Sequence, residues 1–316
     1  MDMVSWQVVR RVEIPHSWAK SMARDPNGRV WVGFSGSSQE SDTRLNVYSA
    51  AGDLVKTLHP CIDPEAGISF AAGRAFVACS DNGFRGKLAV IRLESLEIEQ
   101  VLELSVPNSH LLLTASAAND AAVLIAGMTD GPQEGRYAVV TVVDPRSLAV
   151  RAQLELGLDS DVWRIISDAE RFYLLNVASW HQAREQASDV FVLDPSDPPQ
   201  IRSIAVAPSP LWGAIDGGAV YAYHNPTWNQ PNGDPARRLS RVDLATGQVQ
   251  RWPLPDNWNA SDLSVVDGRV MLARWSGRSG RDDGLYQFDS VSGGLTKQLD
   301  IVDASGLIPP LRPQRS

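Results

Sequence analysis

Five histidines and ten tryptophans are the side chains of this 316-residue chain best suited to bind or transform a small molecule. The histidines are His16, His59, His110, His181 and His224. Imidazole titrates near neutrality and can move a proton in either direction, so His110, His181 and His224 are candidates for acid–base catalysis. Trp18, Trp163, Trp180, Trp212, Trp228, Trp258 and Trp275 could wall a binding site, because indole faces suit planar, sugar-like or cationic ligands. Arg164 could hold an anionic group through its forked donors. So could Arg278, in the Gly-rich loop from Trp275 to Gly284. Each type also has a plainer reading. Tryptophan plugs packed interfaces, and a polar loop residue is most simply solvated.

Several familiar chemistries are excluded by spacing. There is no Cys-x-x-Cys, no His-Glu-x-x-His and no Asp-rich calcium loop. Gly33-Phe-Ser-Gly-Ser37 is one residue short of a nucleophile elbow. The 275–284 loop lacks the Gly-Lys-Ser/Thr ending of a phosphate loop. Metal would require ligands gathered from different parts of the chain, with Glu65, Asp161 or Asp262 joining His16 or His110. No metal or cofactor is therefore expected.

Something regular must position these residues, and the chain contains it. A small-residue turn followed by an apolar strand recurs at Gly28-Arg-Val-Trp-Val, Gly73-Arg-Ala-Phe-Val, Asp120-Ala-Ala-Val-Leu, Glu170-Arg-Phe-Tyr-Leu, Gly218-Ala-Val-Tyr-Ala and Gly268-Arg-Val-Met-Leu. Subtracting successive positions gives steps of 45, 47, 50, 48 and 50 residues. A period of that size made of short strands predicts an all-β propeller, with one four-stranded blade (strands a to d) per repeat. In the fourth repeat the strands are 164–167, 172–176, 190–194 and 201–206. The a–b turns, such as Asp25-Pro-Asn-Gly28 and Asp216-Gly-Gly218, supply the positive φ that tight hairpins need.

Val140-Thr-Val-Val-Asp-Pro-Arg-Ser-Leu-Ala-Val and Leu239-Ser-Arg-Val-Asp-Leu-Ala-Thr-Gly-Gln-Val resemble the strand, Asp-x-x-Thr/Ser, strand half of YVTN-type repeats. The likeness runs from about Gln7 to Ile301 and implies a propeller of the YVTN and WD-repeat-like superfamily. It implies little about activity, since such folds host sensors, scaffolds and enzymes. Asp25-Pro-Asn-Gly-Arg-Val-Trp-Val-Gly33 also resembles gluconolactonase-like and streptogramin-lyase-like propellers, without their full metal pattern.

Six blades are expected over a single domain, 1–316, with a seventh incomplete blade as the alternative. A strand at 7–14 would help close the ring, and 306–316 would form an irregular tail. The b–c and d–a connections share one face and are long and polar, so that top face is the candidate working surface. All five histidines and the seven tryptophans named above fall there. The formal charge of −8 argues against nucleic acid or an anionic membrane as partner. The N-terminus has no apolar run of signal-peptide length, which leads to an expected cytoplasmic location. Cys61 and Cys79 could bridge geometrically, but reduced thiols are expected in that compartment. The leading functional expectation is a small organic ligand at the top-face channel mouth, with cofactor-independent lyase, cyclase or hydrolase chemistry if the site is catalytic. The alternatives are a non-catalytic protein-interaction scaffold and a divalent-metal lactonase-like hydrolase.

Overall fold

A computed structural model describes residues 18–36, 42–80, 86–106, 110–130, 136–158, 160–177, 189–225, 237–255, 258–274 and 282–300. They form strands and turns only. The first sheet is β1 (Trp18–Arg24), β2 (Val30–Ser35), β3 (Leu45–Tyr48) and β4 (Leu54–Leu58). The second is β5 (Gly67–Ala71), β6 (Arg74–Ser80), β7 (Gly86–Arg92) and β8 (Glu97–Leu104). The third is β9 (Leu111–Ala118), β10 (Val123–Asp130), β11 (Arg136–Val143) and β12 (Val150–Leu158). Next come β13 (Val162–Ser167), β14 (Phe172–Asn176), β15 (Asp189–Asp194) and β16 (Gln200–Ala205). The fifth holds β17 (Pro210–Asp216), β18 (Ala219–His224), β19 (Arg238–Asp243) and β20 (Val249–Pro253). The sixth holds β21 (Ala260–Val266), β22 (Arg269–Arg274), β23 (Gly284–Phe288) and β24 (Leu295–Asp300).

In every sheet the strands lie in sequence order, each beside the next. Six such antiparallel meanders at one repeat length are blades. The fold is a six-bladed β-propeller. All four strands of each described sheet are consecutive in sequence, so none of these sheets takes its outer strand from the other end of the chain. The expected closing strand at 7–14 and the tail at 306–316 lie outside the described residues.

By contact density the residues group into two units. One contains Val12–Leu174 with Val192–Ile201, and the other Leu175–Phe191 with Arg202–Pro310. In the first unit the a strands β1, β5, β9 and β13 pack side by side, and in the second β17 packs on β21. The core therefore lies between sheets. Trp31, Leu45, Val47, Ile68, Val77, Ala89 and Ile91 fill the space between the first two sheets. Phe76, Leu88, Val90, Leu111, Leu113, Ile125 and Val139 fill the next. This explains why the b and c strands read as continuous apolar runs. They are covered on both faces, as β3 and β14 show throughout, whereas the outer strand β8 is mostly exposed.

Turn chemistry holds the other end of the sheets. Asp25, fully buried, accepts the Arg29 backbone N–H at 2.9 Å, the Arg29 Nε at 2.6 Å and the Trp31 indole N–H at 3.0 Å. Asp168 repeats the arrangement with the Arg171 N–H and the Tyr173 hydroxyl. The aspartates of the YVTN-like motif accept N–H groups within their c–d turns. Asp144 takes those of Arg146 and Ser147, and Asp243 that of Thr246. The residues that carry the resemblance are thus turn-formers. Arginines then tie one sheet to the next: Arg29 donates to Leu93 C=O at 2.7 Å, Arg74 to Pro145 C=O at 3.0 Å and Arg151 to Pro195 C=O at 3.2 Å.

One expectation is corrected. Cys61 and Cys79 are not free thiols but are joined in a disulfide, with Cα atoms 6.1 Å apart, inside the usual range for such a bridge.

Candidate functional site

The end of the sheets opposite those turns carries the b–c and d–a connections, and there four of the a strands carry the same irregularity, whereas β5 pairs β6 in unbroken register. The β1–β2 register skips Lys20, β9–β10 skips Thr114, β17–β18 skips Leu211 and β21–β22 skips Ser261. Each skip is a β-bulge, which bends the strand and re-aims the side chains beyond it. The hydroxyls of Thr114 and Ser261 use their freed geometry alike. The Thr114 hydroxyl oxygen lies 3.4 Å from Ala126 C=O, and the Ser261 hydroxyl donates to Ala273 C=O at 3.3 Å. Trp163 stands five residues before Asp168, as Thr114 stands five before Asn119, and both latter residues cap a–b turns. Trp163 therefore aligns in sequence with the skipped residue of the third sheet.

In the first unit, Trp163 is built into a rigid platform. Its indole N–H donates to Asp161 Oδ2 at 2.7 Å, and that carboxylate is fully buried. The Thr114 hydroxyl donates to Val162 C=O at 2.5 Å. The Ser160 hydroxyl accepts the Ala138 N–H at 2.9 Å and donates to Gly157 C=O at 2.6 Å. Ser160 is thereby fastened to the backbone of Ala138 and Gly157, and Val162 to the Thr114 hydroxyl, while Trp163 and Arg164 remain half-exposed. His110 is exposed at the entry to the neighbouring β9, and His59 is exposed with its Nδ1 2.8 Å from the Thr43 hydroxyl.

The second unit places its candidates differently. Trp212 is half-exposed, with its indole N–H on Ala260 C=O at 3.0 Å. Trp258 is only 3% exposed. Tyr286 meets it edge-on at 5.4 Å, Tyr223 lies at 6.5 Å and the Arg274 guanidinium at 5.8 Å from its ring. Trp258 is thus a packing residue wedged between strands, with little face left for a ligand. The Tyr223 hydroxyl donates to Trp258 C=O at 2.8 Å, and burial pushes its pKa up to about 12. Nearby, buried Arg237 donates to Asn259 Oδ1 at 3.3 Å.

His224 is also buried, at 1% exposure. Its Nδ1 lies 3.2 Å from Pro208 C=O, which can only accept, so Nδ1 carries the proton. Nε2 is left as a buried acceptor with no hydrogen-bond partner. Burial pushes the imidazole pKa down to about 3. His224 is therefore neutral at physiological pH and sealed from solvent.

Trp18 is the first residue of β1. His16, His181, Trp180, Trp228, Trp275 and Arg278 lie outside the described residues. The structure thus brings Trp163, Arg164 and Asp161 together, separates Trp258 and His224 into packed surroundings, and adds the bulges and Asp161, which the sequence pattern did not mark as a Trp163 partner. Among the described residues no group of three or more His, Cys, Asp or Glu side chains could hold a metal ion.

Comparisons with known proteins agree with this fold. Neither a protein-family model nor a curated protein matches the sequence. Solved structures do match. The propeller domain of the trilobed protease from Pyrococcus furiosus, described as having an open velcro topology, aligns with TM-score 0.59 at 13% identity over 89% of this chain and 84% of its own. The acylaminoacyl peptidase of Pyrococcus horikoshii aligns with TM-score 0.59 at 13% identity over 89% of this chain, which spans 46% of that enzyme's length. BamB from Moraxella catarrhalis aligns with TM-score 0.54 at 12% identity over 88% of this chain and 76% of its own. At such identities the likeness is one of fold.

Proposed function

We propose that the loop-bearing end of the propeller binds a small organic ligand with an aromatic or sugar-like body and an anionic group. The observation that carries this reading is Trp163, half-exposed on β13 yet locked through its indole N–H to the buried Asp161 carboxylate. A packing tryptophan needs burial, and a solvated one needs no such anchor. A fixed, accessible indole beside Arg164 is what stacking plus charge recognition requires. If the site is catalytic, the proton carrier among the candidate histidines that the structure describes, His110 and His224, is exposed His110, because His224 is sealed and uncharged. The reaction class would be a lyase, cyclase or hydrolase without a cofactor. The protein-interaction alternative is supported by exposed Leu54 and Val55 on the outer strand β4.

The test is a library of aromatic and glycosyl carboxylates and phosphates, screened by thermal shift and tryptophan fluorescence. Hits should lose at least ~10-fold in affinity in W163A and R164A, about the worth of one such contact, while W258F stays near wild type. Hits that ignore W163A and R164A, or no hits while a protein partner is captured on β4, would overturn the reading.

A further inference from the structure

β9 and β13 are the innermost strands of the third and fourth sheets, so no backbone ladder sets their relative height. Side-chain donors join them instead, at three levels. Beside the a–b turns, the Asn119 side-chain N–H donates to Asp168 C=O at 3.1 Å. One residue further up, the Ser167 hydroxyl donates to Ala118 C=O at 3.2 Å. Toward the loop-bearing end, the Thr114 hydroxyl donates to Val162 C=O at 2.5 Å. The partners are 49, 49 and 48 positions apart in the chain, so the two strands run parallel and nearly in register.

The uppermost tie has a particular acceptor. Val162 C=O belongs to the planar peptide unit that links Val162 to Trp163, so the Thr114 hydroxyl orients the plane from which the Trp163 side chain departs. The far end of that side chain is held by Asp161 through the indole N–H. Trp163 is thus gripped at its root from the third sheet and at its ring nitrogen from its own. The β9–β10 ladder skips Thr114, passing from Ala126↔Ala115 to Gly127↔Leu113, which lets its hydroxyl reach the neighbouring sheet. A hydroxyl has one proton, and Val162 C=O is nearer than Ala126 C=O, so Val162 receives it. Val162 and Ile165 are buried, so apolar packing keeps β13 in place without this bond. What the bond adds is the orientation of one peptide plane. We propose, building on the ligand reading above, that Thr114 is a positioning residue for the candidate site: acting through Val162, it sets the angle at which the Trp163 indole is presented.

Exchange of the Trp163 indole N–H with heavy water, followed by NMR on the full chain and assigned through its loss in W163F, tests this without any ligand. T114V should speed that exchange at least about tenfold, and T114S should restore it, because serine keeps the donor and valine keeps only the shape. T114A takes the place of T114V if the valine variant does not fold. S167A removes the comparable tie lower on the same two strands and should leave the Trp163 signal at the wild-type rate. Wild-type exchange in T114V, or equal acceleration by S167A, would overturn the assignment, since the bond would then be one strut among several. Ligands found in the screen above should bind T114V at least about fivefold more weakly and T114S as wild type. Hits weakened by W163A but indifferent to T114V would sink the positioning role and spare the ligand reading. Hits that ignore W163A would sink the ligand reading, and the exchange rates would still decide the role of Thr114.

Discussion

His224 offers a measurement that no ligand is needed to make. Its folded pKa, about 3, lies below the ordinary histidine value of about 6.5. The unfolded chain therefore binds a proton that the native state refuses, and the native state is disfavoured as pH falls from about 6.5 toward 3. Stability from this residue is complete above the unfolded pKa and declines below it. Urea titrations across that range should show the decline in wild type and a flatter profile in H224L. An unchanged slope in a folded H224L would show that other groups set the acid dependence. The same residue shows where sequence reading reaches its limit. Histidine at a loop edge reads as accessible, and only the packing of its strand against the 207–209 connector reveals it as enclosed. Trp258 is a parallel case, since Tyr286, which covers one side, lies 28 positions away in the chain. Side-chain type names a capability, and tertiary neighbours decide whether it is used.

Elements were far more legible than sites. The a–b turns follow from dipeptides whose φ preferences are local, and Gly28, Gly73, Gly218 and Gly268 all adopt positive φ. The c–d turns follow from aspartates that accept turn N–H groups. Hydrogen bonds from the backbone of Ser147 and Arg146 hold Asp144 below the usual carboxylate range, so its contribution is present above about pH 4 and lost as pH falls further. D144A should lower the urea midpoint at pH 7, and the difference from wild type should shrink on acidification. The arginine ties are also testable. Arg74 forks Glu99 through two bonds of 2.9 Å and reaches Pro145 on the next sheet. R74A should cost about 2 kcal/mol, and R74K should recover only part of it, because an ammonium cannot serve both partners at once. A loss below ~0.5 kcal/mol would make the tie incidental. The bulges, by contrast, leave no trace in residue type. Lys20, Thr114, Leu211 and Ser261 have nothing in common but backbone position.

Across the whole molecule, the repeat period carried the fold because each blade is consecutive in sequence, so local signals sum without long-range information. Function had no such redundancy. A chemistry requires a few residues once, and a repeat announces only what it repeats. Net charge is the other property that the whole chain expresses. With −8 overall, duplex DNA and anionic vesicles should show no retention of the protein at physiological salt. Salt-sensitive binding to either would reveal a basic surface that the average conceals.

The skipped residue at the head of each described bulged strand has one more consequence. Beyond it, the alternation of inward and outward side chains restarts with a phase of its own. A residue gained or lost there changes the phase only of what lies beyond the skip, and the skipped position can itself be buried, as Leu211 is at 3% exposure. Alignments of such chains should tolerate a one-position slip at that point and nowhere else in the strand. Anyone wishing to retune recognition would start at Lys20, Thr114 and Ser261, where the ladder already departs from strict alternation without enclosing the side chain.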